Sequence, residues 1–219
     1  LINLIIFVLI SILFLKQPDF GMFILIASVW FIQIFNTKLN LKFFLIIISS
    51  FLLVFVLSYL SLDHVRFRIN NFFFSNIGDN YQITKSLESF ANGGFFGQGL
   101  GNGVISKNLP DAHSDFIYAL IGEEFGFLTV LFIILLYMTL YLRIFIIAHN
   151  TTNFFILNSI IGLINIVVFQ AIINISSSLN ILPTKGMTLP LISYGGSSLI
   201  SNSIIIGFIL VLTRILKNE

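Results

Sequence analysis

The sequence contains no cysteine and very little charge. Its 219 residues include 11 Lys and Arg and 9 Asp and Glu, which gives a formal net charge of +2. Without cysteine the chain can form no disulfide, offers no thiolate nucleophile and has no cysteine ligand for a metal ion. So small a net charge gives no indication of nucleic-acid binding, which usually requires a strongly basic surface.

The scarcity of charge also excludes a soluble globular domain. Charged residues make up 9% of this chain, whereas a soluble domain contains roughly 25%. Apolar residues take their place, because 57% of the chain is hydrophobic and 26 residues are phenylalanine. We therefore predict an all-α polytopic membrane protein embedded in a lipid bilayer.

Apolar runs of membrane length recur along the chain. A spanning helix needs about 20 mainly apolar residues. We predict spans at about residues 1–15, 20–35, 43–60, 116–142, 154–175 and 197–212, with a long polar stretch at 61–114. Leu1 lies inside an apolar run that lacks the basic start of a signal peptide. We therefore expect the sequence to be the C-terminal portion of a longer protein or the product of an incomplete gene model.

The short turns on one side of the predicted spans are basic and nearly free of acidic residues. Their basic residues are Lys38, Lys42, Arg143, Arg214 and Lys217. Short basic turns face the cytoplasm in most membrane proteins. This orientation makes the polar stretch 61–114 a large extracytoplasmic loop.

The extracytoplasmic loop contains one amphipathic segment. Ile83, Leu87 and Phe90 recur at helical spacing, which predicts a short helix lying on the membrane surface. The residues Asn92-Gly93-Gly94 are typical of a helix end, so we expect the helix to stop there.

Glycine occupies every second position of residues 97–103. This run has neither the strand-to-helix context of a dinucleotide-binding loop nor the Gly-Lys-Ser/Thr ending of a phosphate-binding loop. It predicts instead a loop that folds closely against another part of the molecule.

The extracytoplasmic loop ends in a carboxylate at the border of a membrane helix. A charge there is costly unless it is solvated, paired or used in chemistry. We expect Ser114 or Asp111 to cap the helix and Asp115 to lie in its first turn. Gly122 and Gly126 would then share its face and allow another helix to approach closely. The residue types leave two roles open for Asp115, a catalytic carboxylate or a partner of the helix dipole.

Three other titratable residues flank this border. Glu123 and Glu124 lie two turns inside the predicted span, where a carboxylate is expected to pair with a basic residue or another helix, or to line a polar cavity. His113 could carry a proton or bind a metal ion, or it could be a structural hydrogen-bonding residue.

Residues 182–198 contain two prolines and two adjacent glycines in an apolar context. Irregular backbone at membrane depth is tolerated only against protein or a water-filled cavity. The hydroxyls, backbone N–H groups and Lys185 of this run suit an anionic group such as a pyrophosphate. The alternative is a plain outer loop whose lysine reaches the membrane surface. In the preceding span Gln170, Asn174 and Ser177 form a polar stripe that either lines a cavity or binds helices together.

These blocks resemble those of the SEDS family (shape, elongation, division and sporulation). The matching blocks keep the same order and consistent spacing, at residues 16–21, 78–82, 97–101, 109–116, 122–126 and 182–198. The last block is more similar to the division-type, FtsW branch than to the elongation-type, RodA branch. The chain departs from the family at Lys107 and its neighbours, where many members have another basic residue or an aromatic. The family's first four helices and part of the next are also absent.

The resemblance implies the C-terminal part of a ten-helix fold, with residues 1–219 forming a single membrane domain. It implies an inverting peptidoglycan glycosyltransferase that polymerises lipid II at the outer face of the bacterial inner membrane during cell division. The implied partners are a class B penicillin-binding protein, which is a transpeptidase, and other membrane proteins of the division machinery at the septum.

Asp115 corresponds to the essential aspartate of the family, and we expect it to be the catalytic base. The candidate substrate-binding residues are Arg66, Arg68, Lys107, His113, Lys185, Ser193, Gly195, Gly196 and Ser197. No cofactor follows from the residues, although a divalent cation could neutralise the pyrophosphate in place of protein donors. Two rival functions stay open, a transporter that flips a polyprenyl-linked precursor and a non-catalytic scaffold of the division machinery. The missing helices leave the activity of this portion alone undetermined.

Overall fold

The computed structural model describes residues 2–17, 19–37, 41–74, 81–151, 153–183 and 186–218. These residues form eight α-helices and a 3₁₀ helix, and no strand occurs among them. The helices are α1 (Ile2–Lys16), α2 (Phe20–Asn36), α3 (Leu41–Ser61), α4 (Asp63–Phe74), α5 (Tyr81–Gly93), α6 (Ile117–His149), α7 (Phe154–Ser178) and α8 (Gly196–Asn218), with the 3₁₀ helix at Ser106–Asn108. The all-helical architecture confirms the predicted fold class. The contacts divide the chain into two compact units, residues 1–74 and 75–219.

The first unit contains α1 to α4. Helix α1 packs against α2, and α3 packs against α4. Phe23 and Ala27 of α2 form a buried cluster with Val65 of α4. Phe7 and Trp30 stack with their ring centroids 4.1 Å apart. Helices α1, α2 and α3 coincide with the first three predicted spans, and α4 lies in the sequence assigned to the extracytoplasmic loop.

The second unit contains α5 to α8 and is built around α7. Helix α7 contacts α5, α6 and α8. The core joins Tyr118 and Val130 of α6 to Ala171 of α7 and to Leu189, which lies between α7 and α8. Tyr118 is fully buried, and its hydroxyl donates to the carbonyl oxygen of Val130 at 3.2 Å.

Three helices of the second unit are long and apolar enough to cross a membrane, namely α6, α7 and residues 196–216 of α8. They coincide with the last three predicted spans, although α6 continues beyond residue 142 to His149. Within the most apolar 18 residues of each helix, the share of residues buried inside the protein is 11% in α6, 44% in α7 and 11% in α8. Helix α7 is therefore the interior span of this unit, whereas α6 and α8 expose apolar surface suited to lipid.

Helix α5 is the amphipathic helix predicted within the extracytoplasmic loop. It ends at Gly93, and the following Gly94 has a φ of 56°, as expected of a glycine after a helix. Its buried side includes Ile83 and Ser86, and the Ser86 hydroxyl donates to the carbonyl oxygen of Ser178 at 2.7 Å. The buried face therefore packs against protein, through contacts with α6 and α7, and the position of α5 on the membrane surface stays a prediction.

Helix α6 is interrupted at Gly126, where φ is 81°. The glycine-rich loop binds the backbone next to this break. The N–H groups of Gln98 and Gly99 donate to the carbonyl oxygens of Glu123 and Glu124, both at 2.9 Å. The loop thus replaces helical hydrogen bonds that the break removes, which confirms that it folds closely against another part of the molecule.

Glycine is required at the points where this loop and α5 meet α6. A Cβ built on Gly126 would lie 2.4 Å from the nitrogen of Gly97, and one on Gly97 would lie 2.2 Å from the carbonyl oxygen of Glu124. A Cβ on Gly93 would lie 2.0 Å from the carbonyl oxygen of Gly122. A helix approaches at Gly122, as predicted, whereas the partner at Gly126 is the glycine-rich loop.

Candidate active site

Residues 109–116 form a tight turn around the carbonyl oxygen of Asp111. The N–H groups of Ser114, Asp115 and Phe116 all donate to this oxygen, at 3.1, 3.0 and 3.3 Å, and Asp111 has a left-handed φ of 55°. Helix α6 starts directly after the turn with Phe116 as its N-cap, and no side chain of the described residues caps it. The predicted capping by Ser114 or Asp111 is therefore wrong, and Asp115 precedes the helix.

Three consecutive carbonyl groups of this turn are held by α7 and by the run 182–198. The three hydrogen bonds are Tyr194 N–H to His113 O at 2.9 Å, Ser193 Oγ to Ser114 O at 2.6 Å, and Asn174 Nδ2 to Asp115 O at 2.8 Å. Ser193 is buried, and its oxygen also accepts from the N–H of Leu189 at 2.7 Å. Its hydroxyl therefore holds the turn, which differs from the predicted substrate contact.

The carboxyl group of Asp115 lies beside Gly186 and is half-buried. Its Oδ2 is 3.1 Å from the position that a Cβ on Gly186 would occupy. Burial raises the pKa of this carboxyl above its ordinary value, and the negative charge of Asp111 raises it further, whereas a hydrogen bond with Ser114 lowers it. A raised pKa makes a carboxylate a stronger base, which suits proton abstraction near neutral pH.

The other predicted residues of the run 182–198 lie at the start of α8 or outside the part of the chain that the structure describes. Gly195 directly precedes α8, and Gly196 and Ser197 are exposed in its first turn. Backbone N–H groups at a helix N-terminus are suited to bind an anion. Lys185 lies outside the described residues.

The polar stripe of α7 binds neighbouring segments together. The amide of Gln170 donates to the carbonyl and hydroxyl oxygens of Thr188 at 3.0 and 3.1 Å. The Thr188 hydroxyl donates to the hydroxyl of Ser198 at 2.7 Å. The amide of Asn174 also donates to the carbonyl oxygen of Met187. Of the two predicted roles of the stripe, these contacts favour the joining of segments.

Glu123 is fully buried and organises the preceding loop. Its carboxylate accepts from the side-chain amide of Asn92 at 2.7 Å and from the N–H groups of Val104, Ile105 and Ser106 at 3.0, 3.0 and 2.7 Å. Amide and backbone donors therefore bind the Glu123 carboxylate, in place of the basic residue that was one of its predicted partners.

A cleft of about 610 Å³, lined by both polar and apolar side chains, adjoins the turn. Its charged and aromatic lining residues are Lys107, Asp111, His113, Glu124 and Tyr194. The structure thus brings the two predicted substrate-binding residues Lys107 and His113 together. Ser114 also lines the cleft, whereas Asp115 is not among its lining residues in the described part of the chain. Tyr194 is 87% exposed, and sequence reasoning missed it although an aromatic residue beside two glycines was a usable signal.

Arg66 and Arg68 lie on α4, in the first unit. Arg66 is exposed, and the side chain of Arg68 lies outside what the structure describes. Both arginines therefore belong to a different unit from Asp115. Within the described ranges, no three His, Asp or Glu side chains form a group that could hold a metal ion.

Comparison of the chain with known proteins identifies a matching family profile and similar sequences. A family profile for FtsW, RodA and SpoVE, described as "Cell cycle protein", matches residues 1–218. The chain is similar to a "Probable peptidoglycan glycosyltransferase FtsW" of Caulobacter vibrioides, with 36% identity over 92% of this chain and 52% of the relative. A protein of the same name from Buchnera aphidicola subsp. Acyrthosiphon pisum is 40% identical over 91% of this chain and 52% of the relative. The chain thus spans about half the length of the curated relatives it matches.

Two solved structures share the fold. One, described as "Structural coordination of polymerization and crosslinking by a peptidoglycan synthase complex", has a TM-score of 0.73 and 26% identity over 96% of this chain and 60% of that chain. The other is a crystal structure of a mutant of the Thermus thermophilus rod shape determining protein RodA, with a TM-score of 0.61 and 24% identity over 94% and 53% of the two chains. From the profile match and these relatives together, the chain belongs to the FtsW/RodA/SpoVE family, which is the SEDS family that its sequence blocks resemble.

Proposed function

We propose that the full-length protein is a peptidoglycan glycosyltransferase that polymerises lipid II and uses Asp115 as its base. The observation that carries the proposal is the Asp115 carboxyl, which is half-buried before a membrane helix on a turn held by three hydrogen bonds. Burial and the charge of Asp111 raise the pKa of this carboxyl. The names of the FtsW relatives support the same reaction class.

The reaction joins two sugars by an inverting displacement. The C4 hydroxyl oxygen of an incoming lipid II attacks C1 of the growing glycan, and the bond from C1 to the pyrophosphate oxygen breaks. Polyprenyl pyrophosphate leaves with the bonding electron pair, and an α-linkage becomes a β-linkage. A sugar hydroxyl is a weak nucleophile, so Asp115 accepts its proton as the new bond forms.

The leaving pyrophosphate requires positive charge or N–H donors. The proposed groups are the side chains of Arg66, Arg68, Lys107 and Lys185 and the backbone of Gly195, Gly196 and Ser197. The last two residues are exposed in the first turn of α8, which supports a role in binding an anion. A divalent cation is the alternative to these protein donors.

We assign the cleft beside the turn to the headgroup of the substrate. Its volume of about 610 Å³ falls within the range of about 300–1,000 Å³ that is usual for ligand sites. Tyr194 offers an exposed aromatic ring, and Lys107, His113 and two carboxylates supply hydrogen-bonding groups. Together with the apolar side chains of Leu109, Ala112 and Leu120, such a mixture suits the sugars and peptide of lipid II.

The proposed setting is the bacterial cytoplasmic membrane, at the division septum. Three helices of membrane length support the membrane location, and the similarity to FtsW proteins supports the septum. The proposed partner is a class B penicillin-binding protein that cross-links the new glycan, together with other division proteins. The structure described as a peptidoglycan synthase complex supports a partner of this kind.

The proposal is tested with the full-length protein, purified with its partner transpeptidase and given lipid II. Asp115→Asn keeps the shape of the side chain but removes the base, so polymerisation should fall by about 10²- to 10⁴-fold. The matched control is Glu88→Gln, which removes a partly exposed acidic group that is paired with Lys85 on α5. A folded complex in which wild type and both variants make no polymer would instead favour a transporter or a scaffold.

A further inference from the structure

We infer that Asn174 is a positioning residue that fixes the backbone of Asp115 in the turn formed by residues 109–116. The inference rests on the proposed function, because it gives Asn174 a role toward the proposed base. Asn174 lies on the central helix α7, is 1% exposed and does not belong to the turn that it holds.

The two amide hydrogens of Asn174 serve two different segments. One bond reaches the carbonyl oxygen of Asp115 at 2.8 Å, and the other reaches the carbonyl oxygen of Met187. Met187 directly follows Gly186, the residue beside the Asp115 carboxyl. One side chain therefore fixes both the base and the backbone next to it, which requires two donors on one planar group.

The anchoring acts on the backbone of Asp115, away from the reacting group. The carbonyl oxygens of His113, Ser114 and Asp115 each accept from a different donor. A turn fixed through its carbonyl groups can hold a carboxylate in place without using the carboxylate oxygens as the anchor. Catalysis depends strongly on such placement, since a displacement of about 1 Å can lower a rate roughly 100-fold.

Packing alone does not account for an asparagine at this position. The Oδ1 atom of Asn174 is buried and has no hydrogen-bond partner among the described residues. A buried acceptor without a partner is unfavourable, and an apolar side chain of similar size would avoid that cost. The site therefore uses the two N–H donors of the Asn174 amide and not its oxygen.

The chain offers a matched control on the same helix. Asn165 is 2% exposed, and its amide donates to the carbonyl oxygen of Ile161 of its own helix at 2.7 Å. Asn165→Leu therefore removes a buried asparagine from α7 without removing a bond to the Asp115 turn. Asn174→Leu removes the same chemical groups together with the bonds to the turn and to Met187.

The experiment compares these two variants in the full-length complex by kinetics and by hydrogen exchange. Asn174→Leu should lower kcat for glycan polymerisation by roughly 10- to 100-fold, while KM for lipid II stays near the wild-type value. The backbone N–H groups of residues 114–116 should exchange roughly three- to tenfold faster, because one bond that closes the turn is lost. Asn165→Leu should change neither quantity. If Asn174→Leu does not fold, Asn174→Ala, which leaves room for a water molecule, is used in its place.

The exchange measurement separates this inference from the proposed function. If Asp115→Asn remains active, the assignment of the base fails, whereas faster exchange in Asn174→Leu still supports the anchoring. Unchanged exchange and unchanged kcat in a folded Asn174 variant would overturn the inference. A loss of kcat that Asn165→Leu reproduces would also overturn it, because the effect would then come from the packing of α7.

Discussion

At the scale of single residues, the group that holds Asp115 in place is its backbone carbonyl, and the group proposed to act as the base is its carboxyl. Its backbone oxygen is bound by Asn174, and its carboxyl lies half-buried next to Gly186. Burial, followed by the charge of Asp111, raises the pKa of the carboxyl. The group is therefore a stronger base than a solvated aspartate, and it must lose its proton before it can act.

A change at Asp111 should alter the pH dependence of the proposed reaction. Asp111→Asn removes the second cause of the raised pKa of Asp115, so that pKa should fall. More of the base is then deprotonated at low pH, and the acidic limb of the kcat/KM profile moves to lower pH. The measurement is a pH series of polymerisation rates for wild type and Asp111→Asn.

Glu88→Gln is the control for this pH series. Glu88 pairs with Lys85 on α5 and is not among the causes that shift the pKa of Asp115. Its profile should match that of wild type. An acidic limb that stays in place in Asp111→Asn, or moves to higher pH, would contradict the electrostatic coupling of the two aspartates.

Sequence reasoning singled out a carboxylate at a membrane border and, separately, the glycine- and proline-rich run 182–198. The structure shows that the two segments meet, through the hydrogen bonds from Tyr194 and Ser193 to the Asp115 turn. Sequence reasoning failed for the capping of α6, because Phe116 occupies the N-cap and the Asp111 carbonyl takes the N–H groups of the turn. Such competition between a backbone oxygen and a side-chain cap depends on φ and ψ, which the residue types alone do not determine.

At the scale of elements, the break in α6 is the feature that positions the loop. From the sequence alone, the residues around Gly126 are predicted to form a continuous apolar helix, and Gly122 and Gly126 to form a surface for helix packing. The acceptors that the glycine-rich loop binds, Glu123 O and Glu124 O, lie more than 20 residues away in sequence. Sequence periodicity reports local structure, so it predicted the close approach but not the break. Because Asp115 lies outside α6, it also shares no helical face with these glycines.

Gly126→Ala should destabilise the second unit. The substitution places a Cβ 2.4 Å from the nitrogen of Gly97 at a φ of 81°, in a region that is almost exclusive to glycine. We expect a loss of about 3 kcal/mol, measured as a lower unfolding temperature of the full-length protein in detergent. The control is Gly207→Ala on α8, where nothing lies within 4 Å of an added Cβ. A similar loss in both variants would contradict the docking of the loop at the break.

Glu123→Gln should loosen the loop that carries Lys107. The charged carboxylate accepts from Asn92 and three backbone N–H groups, and hydrogen bonds to charged groups contribute roughly 1.5–3 kcal/mol each. The variant replaces one acceptor by an amide that faces donors, so a loss of about 2 kcal/mol is expected. Proteolysis within residues 94–108 should then become faster.

Glu124→Gln provides the comparison for this loss of stability. One oxygen of Glu124 accepts from the N–H of Gly101 at 3.0 Å, and the residue is only partly buried. Its substitution should therefore have a much smaller effect on protease resistance. Equal resistance of Glu123→Gln and wild type would show that the buried carboxylate does not organise the loop.

At the scale of the whole molecule, the described residues supply three membrane-length helices and, in the loops between them, the candidate site. Composition and apolar run length predicted these helices, because bilayer thickness sets a simple requirement on both. The ten-helix count and the single-domain organisation of residues 1–219 stay predictions. The curated relatives are about twice as long as this chain, so activity is properly measured on the full-length protein.

The most direct test of the account is glycan polymerisation from lipid II by the full-length complex, with wild type and Asp115→Asn measured side by side. Both proteins must be shown to bind the partner transpeptidase equally well. The account predicts long glycan strands from wild type and a rate at least about 100-fold lower from Asp115→Asn. Strands of equal yield from both proteins would contradict the central claim that Asp115 is the base.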